Sequence, residues 1–169
     1  MLIFFTFLLT LLQPAPLIII SPDFPNEGPI PAKFTCDGED VNPTLIINGI
    51  PEGTKSLALV VEDPDASLTT FTQWLVWNIP PTETIVENSI PGVQGVNTVG
   101  KNPYRGPCPT AAGAQRYSFK VYAIDRILTL KPEANRSEFD KAMEGHVLAT
   151  GELLGEYNRT VAIGKKKKK

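Results

Sequence analysis

The sequence predicts a mainly β fold, a β-sandwich in a single domain, and three observations support it. Short runs rich in β-branched and aromatic residues follow one another quickly, each bounded by Pro, Gly, Asp or Asn. The 13 glycines and 16 prolines of this 169-residue chain fall mostly between those runs. The runs include an almost wholly apolar one, residues 56–62, and an alternating one, residues 116–124. Several short strands separated by turn signals are typical of two packed sheets.

Taken in chain order, the runs predict seven strands. They are expected at residues 17–20, 32–35, 44–47, 56–62, 72–79, 116–124 and 147–157. The apolar run 56–62 is expected in the centre of a sheet that is covered on both faces. In the run 116–124 every second side chain is apolar, so one side of that strand faces the core. Trp74 and Trp77 lie three positions apart and are expected on opposite faces of their strand.

One helix and one long loop complete the predicted elements. Ser137 followed by Asp140 gives a cap-like helix start, and Gly145 gives a stop. Three apolar residues then share one face of this helix, namely Phe139, Ala142 and Met143. The segment 81–103 has three glycines and few large residues, so it is expected to be a functional or mobile loop.

Composition is that of an ordinary globular protein, with 42% hydrophobic and 20% charged residues. The formal charge of −2 includes five positive charges from the lysines at positions 165–169, and removing those five leaves −7 for the rest. The acidic remainder argues against a nucleic-acid-binding surface. The lysine run is expected to be a solvated, disordered tail, and weak contact with anionic lipid or nucleic acid is the alternative.

Hydropathy and charge divide the chain into a leader, a domain and a tail. Residues 1–16 begin with MLIFFTFLLTLL, which is about as long as a signal-peptide core and short for a bilayer span. They are expected to form a signal peptide or a membrane anchor, which favours export. No Lys or Arg precedes the apolar run and no A-x-A site follows it, so a misassigned start in a cytoplasmic protein is the alternative. Residues 17–163 are expected to form the folded domain, and residues 164–169 the tail.

The two cysteines, Cys36 and Cys108, lie in turn-rich sequence, in TCDG and GPCP. In an exported chain a disulfide between them would close a long loop and stabilise the fold by roughly 2–4 kcal/mol. Two independent small core residues fit the sequence equally well.

Two carboxylates stand out as candidates for chemistry, Asp63 and Asp65, which flank Pro64 directly after an apolar run. Facing one cavity they would suit acid–base catalysis, whereas at a strand end they would accept backbone N–H groups and shape a turn.

His146 is the single histidine. A structural role is expected for it, because neither a His-based metal site nor a Ser-His-Asp arrangement is expected. No phosphate-binding, dinucleotide-binding or Ca²⁺-binding motif occurs, and no metal or cofactor is expected.

Two signature segments carry a family resemblance, VVEDPDASLTTFTQWLVWNIP at residues 60–80 and YRGPCPTAAGAQRYSFKVYAID at residues 104–125. Together with SPDF, PAKFTCDGEDVNP and AMEGHVLATGELLGEY, they resemble the phosphatidylethanolamine-binding protein family, in its prokaryotic Raf-kinase-inhibitor-like branch. The similarity covers about residues 20–157. It implies two antiparallel sheets in a Greek-key sandwich, one or two short peripheral helices, and a small pocket at one end.

The resemblance also implies a set of ligand-binding residues. They are Asp63, Asp65, Gln73, Pro107, Cys108, Gln115 and Tyr117. The family usually has a histidine where this chain has Gln73 and another where it has Gln115. A glutamine amide donates hydrogen bonds but never carries charge, so this pocket is expected to favour neutral or weakly held polar groups over phosphate. The alternative is that both glutamines are plain strand-end surface groups.

Neighbouring cations are expected to take different roles. Arg116 and Tyr117 point to opposite faces of one strand, so only one of them faces the pocket. The resemblance gives that place to Tyr117, and Arg116 is then expected to pair with a nearby aspartate. Arg105 and Lys101 offer positive charge at the pocket mouth unless they are ordinary solvated loop cations.

Three functions are consistent with these features. The resemblance favours a non-enzymatic binding or inhibitory protein whose pocket takes a small polar or anionic ligand and whose rim contacts a serine protease or a kinase. Export would favour the protease. The second is a lipid head-group binder at a membrane surface, and the third is a hydrolase using Asp63 and Asp65, which the missing histidines argue against. The resemblance also suggests a homodimer.

Overall fold

The computed structural model describes residues 16–66, 70–110 and 113–159. Within these ranges the chain forms nine strands, one α-helix and a short 3-10 helix at Ala32–Phe34. The α-helix, α1, spans Arg136–Met143. The expected leader, apart from Pro16, and the expected tail lie outside the described ranges. The strands are β1 (Ile18–Ile20), β2 (Gly28–Pro29), β3 (Leu45–Asn48), β4 (Ser56–Asp63), β5 (Phe71–Ile79), β6 (Thr84–Ile85), β7 (Val93–Gln94), β8 (Ala114–Ile124) and β9 (Val147–Asn158).

Six strands form the larger sheet, in the order β2-β9-β8-β4-β5-β7. The four neighbours β8-β4-β5-β7 are antiparallel. The last of these four along the chain, β8, lies beside the first, β4, which is the Greek-key order. The expected mainly β, Greek-key architecture is therefore confirmed. One pair is parallel, since β2 runs in the same direction as β9.

The smaller sheet, in the order β1-β3-β6, packs on one face of the larger sheet. The core between the two sheets includes Leu59 of β4 and Phe119 of β8. Helix α1 covers the other face, where Phe139 joins a second core with Val60 and Trp77. The larger sheet is thus covered on both faces, which confirms the prediction for β4, all of whose residues are buried.

Side-chain alternation along β5 and β8 follows the sequence pattern. Trp74 lies in the core between the sheets and Trp77 in the core beneath α1, as their spacing predicts. On β8 four alternate residues all enter the core between the sheets: Tyr117, Phe119, Val121 and Ala123. The period-2 pattern therefore located both faces of these strands correctly.

The strand predicted at residues 32–35 is wrong. Pro31 leads into the 3-10 helix, in which Phe34 N donates to Pro31 O at 3.0 Å and Thr35 closes the next turn in the same way. Such i to i+3 bonds belong to tight turns, so the chain is not extended here. The strands β2, β6 and β7 are only two residues long and offered no run to recognise. Two of them, β6 and β7, interrupt the segment 81–103 that was expected to be a loop.

Helix α1 begins before its predicted start. Asn135 is the N-cap: its side chain accepts from Glu138 N at 3.1 Å, and the Glu138 side chain accepts from Asn135 N at 2.9 Å. This reciprocal pair is a capping box, so the true signal was Asn135 with Glu138, two residues before Ser137 with Asp140. The predicted end is correct, because Gly145 follows with a φ of 75°. No helix of the described ranges is long and apolar enough to cross a bilayer.

A β-bulge interrupts the pairing of β4 with β5 near one end of the larger sheet. Val61 pairs with Trp74, yet Glu62 pairs with Thr72, so Gln73 is the extra residue on β5. A bulge of this kind redirects the neighbouring side chains and is common beside functional sites. Here it lies at the end of the sheet that borders a surface cavity.

Candidate functional site

A surface cavity of about 180 Å³ lies where β4 ends and where β5 and β8 begin. Because β5 and β8 both pair antiparallel with β4, their first residues lie at the same end of the sheet as Asp63, the last residue of β4. The loop that precedes β8 contributes another wall. The lining residues are Asp63, Ala66, Phe71, Gln73, Arg105, Cys108, Pro109, Thr110 and Gln115.

Asp63 lines this cavity and is only 6% exposed. Its carboxylate accepts the backbone N–H of Asp65 at 2.9 Å. Within the described ranges it forms no ion pair. Burial raises the pKa of this carboxyl, and the nearby charge of Asp65 adds to the rise while the backbone hydrogen bond opposes it. A buried acceptor of this kind favours a hydrogen-bond donor in the cavity.

Asp65, the second expected carboxylate, does not line the cavity. Arg116 donates to it from Nε at 2.9 Å and from Nη2 at 2.7 Å, which makes a bidentate ion pair. The hydrogen bond from Arg116 lowers the pKa of Asp65. The expected pairing of Arg116 with an aspartate is confirmed, and it joins the turn after β4 to the start of β8. Asp65 thus lies outside the cavity and connects two segments that border it.

Gln73 and Gln115 both line the cavity, from β5 and β8. The side-chain oxygen of Gln73 is buried and has no hydrogen-bond partner among the described residues. Tyr117 donates from its hydroxyl to Gln115 Oε1 at 3.5 Å. Tyr117 itself is fully buried and lies behind the lining. Burial raises the pKa of its hydroxyl and the charge of Asp63 raises it further, so the hydroxyl remains a donor at neutral pH.

A disulfide holds the loop wall in place. Cys36 and Cys108 are joined with an S–S distance of 2.08 Å, and Cys108 lines the cavity. Cys36 N also donates to Pro107 O at 3.2 Å. Pro107, another residue expected at the pocket, is therefore part of the connection to Cys36 and not of the lining.

Arg105 and Phe71 join the lining although neither was among the residues that the resemblance implied. The Arg105 guanidinium lies over the Phe71 ring, 5.7 Å from its centroid, as in a cation–π contact. Arg105 is the one cation in the lining and forms no ion pair within the described ranges. The sequence made Arg105 a candidate for positive charge at the pocket mouth, with an ordinary solvated loop cation as the alternative. Phe71 had no signal beyond standing at a strand start.

The cavity lining combines a few charged groups with several uncharged polar ones. The titratable lining groups are Asp63 and Arg105, because Cys108 is in the disulfide. His146 lies at the opposite end of the sheet, where its Nδ1 is 2.9 Å from Asp125 Oδ1. In residues 16–66, 70–110 and 113–159 no group of three or more His, Cys, Asp or Glu residues is placed to hold a metal ion. One carboxylate, two amides and one guanidinium suit hydrogen bonding to a small polar group.

Comparison with known proteins connects these features with a family. The family model described as phosphatidylethanolamine-binding protein matches residues 20–158. A UPF0098 protein of Pyrococcus abyssi is 50% identical in an alignment of 153 residues, and the match covers 85% of this chain and 86% of that protein. A UPF0098 protein of Aquifex aeolicus is 41% identical over 150 residues, 83% of this chain and 88% of its own length.

Solved structures show the same fold. A phosphatidylethanolamine-binding protein homologue from Chlamydia trachomatis superposes with a TM-score of 0.81 at 36% identity, covering 85% of this chain and 98% of that one. YbcL of E. coli, described as a member of the mammalian family, superposes with a TM-score of 0.78, covering 86% of this chain and 99% of its own. At 24% identity the second likeness concerns the fold alone.

Proposed function

This chain belongs to the phosphatidylethanolamine-binding protein family, and we propose that it is a non-enzymatic binding protein whose cavity takes a small polar or anionic group. One observation carries the proposal. Asp63, Gln73 and Gln115 reach a single cavity from three adjacent strands, with Arg105 on the facing loop. These groups can hydrogen-bond a ligand from several sides, and Asp65, which would complete a pair of catalytic carboxylates, is engaged by Arg116.

The charge of the cavity limits how tightly an anion is held. Arg105 attracts an anion, Asp63 opposes it when ionised, and the two glutamines are neutral. Hydrogen bonds to charged partners contribute about 1.5–3 kcal/mol, against about 0.5–1.5 kcal/mol for neutral ones. We therefore expect weaker phosphate binding than with histidines at positions 73 and 115. We also expect no change of affinity across about pH 6–7, where histidine titrates.

Titration with acetate and with phosphoethanolamine, followed by chemical shifts of backbone amides, tests this proposal. We expect weak binding at the cavity, about millimolar in Kd. The double variant Gln73→His/Gln115→His is expected to bind phosphoethanolamine more tightly and to acquire a pH midpoint near about 6.5. Thr150→His, at an exposed position near the other end of the sheet, is the control and should behave like the wild type.

Three results would contradict the proposal in different ways. Tight phosphoethanolamine binding by the wild type, with a midpoint near neutral pH, would overturn the role given to the glutamines. No shift at Asp63, Gln73 or Gln115 with either probe would overturn the cavity as a ligand site. Turnover that Asp63→Asn abolishes would overturn the non-enzymatic assignment.

The rim of the cavity is proposed to contact a partner enzyme, a serine protease or a kinase. Its support is the family membership together with the disulfide that stiffens the loop wall, because a preorganised loop loses less freedom on binding. If the chain is exported, a protease is the more accessible partner. Purified protein is expected to inhibit a chymotrypsin-like or elastase-like enzyme, and Arg105→Ala is expected to weaken that inhibition. No inhibition across a protease and kinase panel would count against this partner class.

A further inference from the structure

Two more cavities adjoin the one that contains Asp63. The second, of about 340 Å³, shares Arg105 with it. The third, of about 260 Å³, shares Tyr104, Pro103 and Asp40 with the second. Because each shared residue borders the cavities on both sides, the three depressions follow one another along the segment 97–105.

The boundary between the first two cavities includes a covalent bridge. Cys108 lines the first cavity and Cys36 lines the second, so the disulfide between them is the common wall. Arg105 lies beside this wall, over Phe71. Arg105 and the disulfide therefore belong to the boundary that a ligand group in the first cavity shares with the second.

The floor beyond this boundary is fixed by contacts between distant segments. Asp40 Oδ1 accepts from Gly106 N at 2.6 Å, and Tyr104 donates from its hydroxyl to Phe34 O at 2.9 Å. The Tyr104 ring also meets Trp74 edge-on, 5.4 Å between centroids. Asp40 holds a φ of 57°, a conformation that non-glycine residues adopt rarely and that is found more often at functional sites. These cross-links preorganise a surface formed mostly by segments without regular secondary structure.

The exposed side chains along the second and third cavities are of two kinds. Val99 is 45% exposed in the second and Ile90 is 72% exposed in the third, although both are aliphatic. Lys101 and Arg105 border the second cavity, and neither forms an ion pair with any described residue. Two adjacent unpaired cations stand out because the chain without its terminal lysines is acidic.

We propose that the three cavities form one groove that binds an extended peptide segment of a partner protein, with an acidic side chain at Lys101 and Arg105 and an apolar side chain beside it at Val99. The proposal rests on the proposed function, because the first cavity takes one end of the same segment. A lipid chain is a poor match, since Asp40, Asn97 and Lys101 would meet hydrocarbon in the second cavity. An extended peptide places successive side chains in separate small pockets and presents polar backbone between them.

A positional-scanning library of acetylated hexapeptide amides, probed with the fluorescently labelled full chain, tests the groove. We expect selection of Asp or Glu at one position and of Leu, Ile or Val at a neighbouring one. Lys101→Glu is expected to remove the acidic preference, and Val99→Asp to weaken binding of the selected peptide at least about tenfold. Ile127→Asp is the control, because Ile127 is also an exposed aliphatic residue, 59% exposed against 45% for Val99, and follows β8 at the far end of the sheet. All three sites are exposed, so the variants should retain the fold.

Acetate binding in the first cavity, measured on the same variants, separates the two proposals. If acetate binds but the library shows no preference, the groove is overturned and the proposed function stands. If peptides are selected but Val99→Asp and Ile127→Asp weaken them equally, binding lies elsewhere and the groove is again overturned. Displacement of the selected peptide by phosphatidylethanolamine vesicles would overturn the peptide as occupant. If acetate fails while the predicted variants still change peptide selection, the proposed function is overturned, and so is the three-cavity groove, because peptide binding is then confined to the second and third cavities.

Discussion

Glu62 and Asp63 are consecutive buried carboxylates on β4 that face opposite sides of the larger sheet. Glu62 is 4% exposed and accepts a hydrogen bond from Lys120 at 2.9 Å and another from Arg136. Asp63 accepts a backbone N–H from Asp65 and, among residues 16–66, 70–110 and 113–159, pairs with no cation. One carboxylate is therefore neutralised by the fold, and its neighbour is left as the unpaired acid of the cavity.

The difference between Glu62 and Asp63 shows how a buried carboxylate that stabilises the fold differs from one that is available to a ligand. Burial alone would raise the pKa of Glu62, but Lys120 and Arg136 reverse the effect and lower it. For Asp63 burial prevails and the pKa is raised. A perturbed carboxyl that has no partner, at the edge of a cavity, is a frequent mark of a binding or catalytic position.

The largest loss of stability is expected from breaking the disulfide beside the Asp63 cavity. The loop wall of that cavity is held by the Cys36–Cys108 bond, whereas Glu62 is held by ion pairs. Replacing both Cys36 and Cys108 by Ser opens a loop that spans 72 residues. We expect the free energy of unfolding in urea to fall by about 4 kcal/mol. Acetate affinity should fall as well, since Cys108 lines the cavity. Wild-type stability and affinity in the double variant, or in the reduced protein, would show that hydrogen bonds alone hold this wall.

The next effect tests the charge pairing on the Glu62 side. Glu62→Ala leaves Lys120 and Arg136 without their shared acceptor and is expected to lower the free energy of unfolding by about 3 kcal/mol. Asp63→Ala removes an acceptor of backbone N–H groups, chiefly that of Asp65, and leaves no cation behind, which costs about 1 kcal/mol. Chemical denaturation at pH 7 compares the two. Equal losses would mean that the two carboxylates do not differ in structural role.

Removing charge alone should change stability in opposite directions at the two positions. Glu62→Gln is expected to lower the free energy of unfolding at pH 7, because ionised Glu62 stabilises the fold. This stabilisation is fully present above the unfolded pKa near 4.5 and is lost as pH falls through the lower folded pKa. Asp63→Asn is expected to raise it slightly. Ionised Asp63 costs stability at neutral pH, and the cost disappears as pH falls to its unfolded pKa near 3.8. The difference between Asp63→Asn and the wild type should vanish below the unfolded pKa of 3.8, and the difference between Glu62→Gln and the wild type should shrink as pH falls below 4.5. Shifts of the same sign at pH 7 would contradict the contrast.

The sequence predicted the strands that flank these two residues because burial imposes a repeating pattern of apolar residues along a strand. An unbroken apolar run at β4 indicated cover on both faces, and alternation along β8 indicated which side enters the core. These signals are local and need no knowledge of the partner strand. Where the run is two residues long, as in β6 and β7, no period exists to detect.

The finer geometry of the site depends on the residue at which a strand ends and on contacts between residues that are distant in sequence. Asp63 and Asp65 are two apart and would share a face inside a strand, but β4 ends at Asp63, so Asp65 turns outward to Arg116. The bulge at Gln73 arises from the pairing of two strands. Arg105 reaches Phe71 across 34 positions of sequence, and no local pattern predicts that contact.

The smallest effect is expected at the ion pair that lies outside the sheet. Asp65 and Arg116 are both substantially exposed, so Arg116→Ala should leave the free energy of unfolding within error of the wild type. The pair nevertheless positions the turn whose Asp65 N–H reaches Asp63, and acetate affinity is expected to fall by about twofold, within the range of one weakened hydrogen bond. Lys33→Ala removes a comparably exposed pair, with Glu87, and should leave acetate binding unchanged. A loss of stability in Arg116→Ala as large as in Glu62→Ala would mean that charges outside the sheet matter as much as those within it.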